Sequence, residues 1–146
     1  MPDISFPLGS YANQVSPRAR HAAKRLPPTV RATLPCPRLE EASPPDVFDP
    51  GKEFEVVHVL IEYPQMARND ILRCYWLGED SLGCTSSKLT VSDVFEGRPV
   101  RFAVGTEFVM PNMGRRVRVS YTLWRAGTRE YEYSSVLNLL VRELIA

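Results

Sequence analysis

Two histidines, three cysteines and scattered carboxylates are the groups in this 146-residue chain with the most obvious chemical potential. His58 stands in a β-branched run and could serve as the base for a serine or cysteine nucleophile. No Gly-x-Ser-x-Gly elbow and no glycine-rich phosphate loop accompanies it. The other histidine, His21, falls in a proline-rich stretch, so His58 reads as an ordinary strand residue. The adjacent acids Glu40-Glu41 and Glu79-Asp80 raise acid–base or calcium chemistry. Glycosidase carboxylates, however, face each other across a cleft, and a calcium loop needs oxygen donors at regular spacing. Both pairs read instead as solvated turns. Cys36, Cys74 and Cys84 contain no C-x-x-C and, with two histidines, make no four-ligand zinc cluster. The expectation is a non-enzymatic protein without metal or cofactor.

What remains is binding chemistry. Arg115, Arg116 and Arg118 form a basic run, supported in sequence by Arg98, Arg101, Arg125 and Arg129. Strand alternation turns Arg101 and Arg118 to an outer face. Trp124, Tyr131 and Tyr133 could stack on bases or sugars. Eighteen Lys+Arg against seventeen Asp+Glu give a formal charge of +1, so bulk charge names no polyanionic partner. Nucleic-acid binding, mostly through the basic arm formed by residues 1–50, is therefore the minor reading, and glycan or toxin-associated binding through Trp124 another.

The elements that must position these groups divide the chain in two. Residues 1–50 carry prolines at 2, 7, 17, 27, 28, 35, 37, 44, 45 and 50, and no aromatic residue between Tyr11 and Phe48. Such a stretch cannot bury enough apolar surface to offset its own ordering entropy. It reads as an extended, proline-rich basic arm with one short helix. Ser16 caps that helix, Pro17 occupies its first position, and Pro27-Pro28 stop it after Leu26. Ala19, Ala22, Ala23 and Leu26 share one face, with Arg18, Arg20, His21, Lys24 and Arg25 on the other. Val30 to Leu34 is the one proline-free, β-capable stretch of the arm, and it is expected to meet a sheet edge. The arm's candidate partner-binding residues are thus Arg18, Arg20, Lys24, Arg25, Leu26, Val30 and Leu34, joined on the second part by Arg115, Arg116, Arg118 and Trp124.

Residues 51–146 read as all-β. Strands are expected over 54–61 and 70–77, from Leu82 to Ser87, over 100–104 and 117–123, and through Leu137, Leu139 and Val141. Short strands spaced by turns, without helical periodicity, indicate an antiparallel sandwich of about seven strands, the size of an immunoglobulin-like domain. Leu72, Trp76, Val100, Phe102, Val117, Val119, Tyr121, Leu137 and Leu139 should point between the sheets, with Trp76 central. A turn at Gly78-Glu79-Asp80 would pair Cys74 with Cys84 across two strands, close enough for a disulfide or for two reduced core thiols. The reduced form is the expectation.

Tyr63-Pro64-Gln65-Met66-Ala67-Arg68-Asn69-Asp70, followed by Trp76-Leu77-Gly78, resembles a motif of bacterial immunoglobulin-like repeats found in tandem in large Gram-negative proteins. Gly97-Arg98-Pro99-Val100-Arg101-Phe102, Asn112-Met113-Gly114 and Val117-Arg118-Val119-Ser120-Tyr121 follow in the same order, and Leu26-Pro27-Pro28-Thr29-Val30 is similar to the segment that leads into such repeats. Gln65 and Asn69 stand where the repeats usually place glycine. The resemblance implies a sandwich with a structural or binding role and brings no catalytic residue. The expected function is an interaction, adhesion or assembly module that docks on a protein partner or on itself through the arm and the sandwich edges. No run approaches the ~20 apolar residues of a membrane span. The opening Met1-Pro2-Asp3-Ile4 is unlike a secretory signal, which points to the cytoplasm or a non-classical route of export.

Overall fold

A computed structural model describes residues 5–7, 32–50, 56–92 and 98–143, the first three by backbone alone. The helix expected over 17–26 lies outside the described residues, as do Phe54 and Glu55. The elements are β1 (Ser5–Pro7), β2 (Arg38–Leu39), β3 (Val47–Phe48), β4 (Val56–Ile61), β5 (Ile71–Leu77), β6 (Cys84–Thr90), β7 (Val100–Gly105), α1 (Thr106–Val109), β8 (Arg115–Arg125), β9 (Glu130–Tyr133) and β10 (Leu137–Val141). They form two sheets, β1-β7-β4-β2 and β3-β10-β8-β5-β6, with β9 added against β8.

Period-two alternation explains the packing. Val57, Val59 and Ile61 of β4 and Val100, Phe102 and Val104 of β7 turn inward from one sheet. Leu72, Cys74 and Trp76 of β5 meet them from the other, with Val117, Val119, Tyr121 and Leu123 of β8 and Leu139 and Val141 of β10. All belong to one buried cluster, so the sheets pack face to face. Every expected core residue is buried except Leu137, which is half-buried against that cluster. Trp76 is fully buried, and its Nε1–H donates to the Phe108 carbonyl at 3.1 Å, tying the sheet to α1.

Residues 32–50 are built into this sandwich. β2 pairs antiparallel with β4, β3 pairs parallel with β10, and Leu34 bridges Ser134 in parallel. Leu34, Leu39 and Phe48 all enter the core cluster. β9 went unforeseen because its Glu-Tyr-Glu-Tyr sequence is exposed or half-buried throughout and shows no apolar alternation.

The β5–β6 register differs from the expectation. Leu77 pairs with Cys84, Trp76 with Thr85 and Cys74 with Ser87. The connection runs through a 3-10 turn at Ser81–Gly83, and Leu82 lies outside the strand. A side chain fills that loop. Asn112, buried, donates from Nδ2 to the carbonyls of Gly83 (3.1 Å) and Phe108 (2.8 Å). A Cβ at Gly78 would stand 2.0 Å from Asn112 Oδ1, and one at Gly83 2.5 Å from Nδ2, so a side chain at either position would have to displace the Asn112 amide. The slip separates the two cysteines: Cys74 lies in the main core, while Cys84 packs with Tyr75 and Leu77 in a second cluster. All three cysteines are free thiols.

Candidate functional site

The strands fix two ends of the sandwich. At one end β5 begins at Ile71, and β4 and β7 meet where Ile61 pairs with Val100. The 62–70 segment and Arg98 gather there. At the other end β5 finishes at Leu77 and Val56 pairs with Gly105, bringing in the 78–83 loop, α1 and the 3-10 turn Met110–Asn112.

The first end is organised by one buried carboxylate. Asp70 Oδ2 accepts from the Tyr63 hydroxyl (2.8 Å) and the Ala67 amide (3.0 Å), and Oδ1 accepts from the Ala126 amide (3.0 Å). Gln65 and Asn69 within this segment have φ of 60° and 75°. A left-handed backbone costs a side chain about 1–2 kcal/mol, and the Asp70 hub holds the segment in that shape. Burial, and then the bond to Asp70, raise the Tyr63 pKa and keep its hydroxyl protonated. Arg125 seals the rim. Its Nε pairs with Glu132, its two Nη atoms donate to the carbonyls of Gln65 (3.3 Å) and Pro64 (3.1 Å), and its guanidinium lies 5.4 Å from the Tyr63 ring centre. A cleft of about 390 Å³ opens beside this rim, lined by Pro35, Glu62, Tyr63, Pro64, Met66 and Arg98. Its lining is mostly apolar, as binding clefts are.

On the flank, His58 is half-buried. Its Nδ1 lies 2.7 Å from Glu41 Oε2 and 3.4 Å from Glu40 Oε2, and its amide donates to Glu41 Oε1 at 2.8 Å. Arg101 Nη2 meets Glu40 Oε2 at 2.7 Å. The ligand atoms of Glu40, Glu41 and His58 lie within 4.8 Å of one another, a spread a divalent cation could bridge. Arg101 already supplies positive charge to that cluster, and the ring partners of His58 here are carboxylates rather than a nucleophile.

Burial pushes the Cys74 and Tyr121 pKa values well up, and raises that of Cys36. This disposition keeps the Cys36 and Cys74 thiols un-ionised at neutral pH and suits packing better than thiolate chemistry.

The sequence-derived binding residues are dispersed. Arg18, Arg20, Lys24, Arg25, Leu26 and Val30 lie outside the described residues. Leu34 is buried at 4% exposure against β9 and β10, with the Thr33 and Leu34 amides donating to the Tyr133 carbonyl. Arg115 pairs with Asp80 at 2.7 Å, Arg116 donates to the Asn138 carbonyl at 3.4 Å, and Arg118 is exposed. Trp124 is half-buried, its ring 4.8 Å from that of Tyr131. Arg101 belongs to β7 and Arg118 to β8, on opposite sheets, so outward orientation takes their guanidiniums apart. Arg125, counted with the basic run, is spent on the Tyr63 rim.

Asp70 escaped notice because one acid beside a turn has no pattern; only its contacts mark it. Leu82 escaped because its surroundings in the sequence read as a strand, and Met110 because a lone methionine carries no pattern. Among the described residues the large exposed hydrophobics are Val56 (38%), Leu82 (77%), Met110 (46%) and Tyr131 (65%), and the first three lie at the Asn112 end. No described helix is long and apolar enough to cross a membrane. Comparisons with family models, curated proteins and solved structures return no match.

Proposed function

We propose that this chain is an immunoglobulin-like sandwich of the kind repeated in large Gram-negative proteins, and that it works without chemistry of its own, by docking on protein surfaces. Strand order supports the fold assignment. β4 beside β7 in one sheet, and β10-β8-β5-β6 in the other, follow the order B-E and G-F-C-C′ of immunoglobulin domains, with Trp76 in the place of the buried tryptophan of strand C. The left-handed backbone at Gln65 and Asn69, where those repeats usually carry glycine, supports it further.

The observation that carries the docking reading is β1. Ser5, Phe6 and Pro7 pair in parallel with Arg101, Phe102 and Ala103 of β7, so a segment far along the chain from the sandwich adds a strand to its sheet. Addition of an extended segment to a sheet is a general mode of protein recognition, in which backbone hydrogen bonds supply affinity. A slot filled from within the chain can be filled from a neighbour by the same bonds.

The test compares the intact chain with residues 32–146 as bait in a lysate of the source cells. The cut falls before residue 32 because Leu34, Leu39 and Phe48 are core residues, which removal of 1–50 would strip away. The shorter chain should keep the far-ultraviolet spectrum of a β protein and capture a different set of proteins, losing those held by the N-terminal segment and gaining those that add a strand to its vacated β7 edge. Equal capture by both would show that the first 31 residues take no part in docking.

A further inference from the structure

We propose that the two ends of the sandwich are complementary, and that the Leu82–Met110 projection of one copy seats in the Tyr63-end cleft of the next. The proposal rests on the docking reading above and names the occupant of one surface, a second copy of this chain.

Three observations lead there. Apolar exposure is uneven: three of the four large exposed hydrophobics among the described residues stand at one end. Scattered exposed apolar residues are ordinary, whereas clustered ones mark contact surfaces. Leu82 and Met110 sit on neighbouring 3-10 turns that pack together and are bound through Asn112, which holds the Gly83 and Phe108 carbonyls. The projection is therefore preorganised, and little freedom is lost on docking.

The second observation is the receptor. At the opposite end, an open cleft of about 390 Å³ is lined by two prolines, Tyr63 and Met66 between the charges of Glu62 and Arg98. That volume falls within the range of about 300–1,000 Å³ typical of binding clefts and accommodates an aliphatic side chain. Its floor is stiff, because Asp70 and Arg125 tie the 62–70 segment to the β8–β9 turn.

The third is charge. Arg98 stands exposed at the cleft, while Glu79 and Glu107 stand exposed beside the projection. A copy arriving with its apolar turns toward the cleft brings carboxylates to Arg98. Because projection and cleft lie at opposite ends of one molecule, the contact is head-to-tail and can propagate.

Sedimentation velocity on the intact chain, at rising concentration, reads the proposal. The average mass should climb above the 16.5 kDa monomer. Leu82→Asp, on the exposed projection, and Met66→Lys, in the cleft lining, should each weaken association at least tenfold. An equimolar mixture of the two should regain dimers and stop there, because each pair retains one sound projection and one sound cleft. Since Met66 also touches the core, Arg98→Glu serves as a second cleft variant on an exposed residue. It should weaken association, and adding Glu107→Arg to the same chain should restore much of the loss.

Association unchanged by Leu82→Asp and by Arg98→Glu overturns the end-to-end contact, and so does a mixture that recovers no dimer. Sensitivity to the cleft variants without sensitivity to Leu82→Asp does the same, because the part of the second copy that fills the cleft is then not the projection. An intact chain that stays at 16.5 kDa at all concentrations overturns it as well. None of these results bears on capture by the N-terminal segment, which is read separately by the truncated bait.

Discussion

Trp76→Ala is expected to lower the unfolding free energy by about 3–5 kcal/mol, the range for removing a large aromatic from a packed core. Trp76 is fully buried between the sheets and is the largest such side chain among the described residues. The neighbours around it come from β5, β8 and the opposite sheet, whose backbones are held by ladder bonds and cannot collapse into the space. A second loss adds to the cavity: the Phe108 carbonyl gives up its indole donor, although Asn112 Nδ2 still serves it. Domains of this size are stable by about 5–15 kcal/mol in total, so the variant should sit near the edge of folding. Urea unfolding followed by far-ultraviolet circular dichroism measures the change. A loss below about 1 kcal/mol, small for any core substitution, would mean that Trp76 does not span the two sheets.

Asp70→Ala should be nearly as costly, by about 3–4 kcal/mol. Bonds to a charged group are each worth about 1.5–3 kcal/mol, and their sum is not additive. The variant leaves the Tyr63 hydroxyl and the Ala67 and Ala126 amides without their acceptor. Asp70→Asn should recover little. Its single oxygen can serve one side of the hub, while its amino group faces donors on the other. The effect has a local signature besides the global one. Amide exchange at Ala67 and Ala126 should accelerate more than exchange at the centre of β8, because the 62–70 segment and the β8–β9 turn lose their common anchor. Uniform acceleration would reduce Asp70 to a general contributor to stability.

Legibility from sequence followed burial. The long strands were readable because one face of each is apolar: Val117, Val119, Tyr121 and Leu123 alternate with Arg118, Ser120 and Thr122, and these four are buried as alternation predicts, with Ser120 buried as well. The short strands were not. β2 and β3 have two residues each, and their pairing is imposed by the chain's path across the sandwich rather than by a local pattern. The β5–β6 register was missed for a different reason. The residue that shapes the Gly78–Gly83 loop is Asn112, well outside that hairpin in sequence, so a local turn rule had no access to it. Functional residues behaved in the same way. The arginines were visible as a run, yet their distribution over two sheets, and the use of Arg125 as a rim clamp, depend on pairings that no spacing encodes. Leu82 is the clearest case. As a strand residue it would be core; as a loop residue it is the most exposed large hydrophobic among those described.

The central claim, that the β7 edge is a slot for an added strand, is tested most directly in trans. Residues 32–146 contain every side chain of the described core but lack β1. A fluorescent peptide of residues 1–12 is added to this shorter chain, and anisotropy is followed to saturation. Saturable binding is expected, with exchange slowed at those amides of Arg101, Phe102 and Ala103 in β7 that face the added strand rather than β4. Binding should be abolished when Ser5 and Phe6 of the peptide are both replaced by proline, which removes backbone donors. Absence of saturable binding, or binding that survives the double proline substitution with β7 exchange unchanged, would contradict the claim.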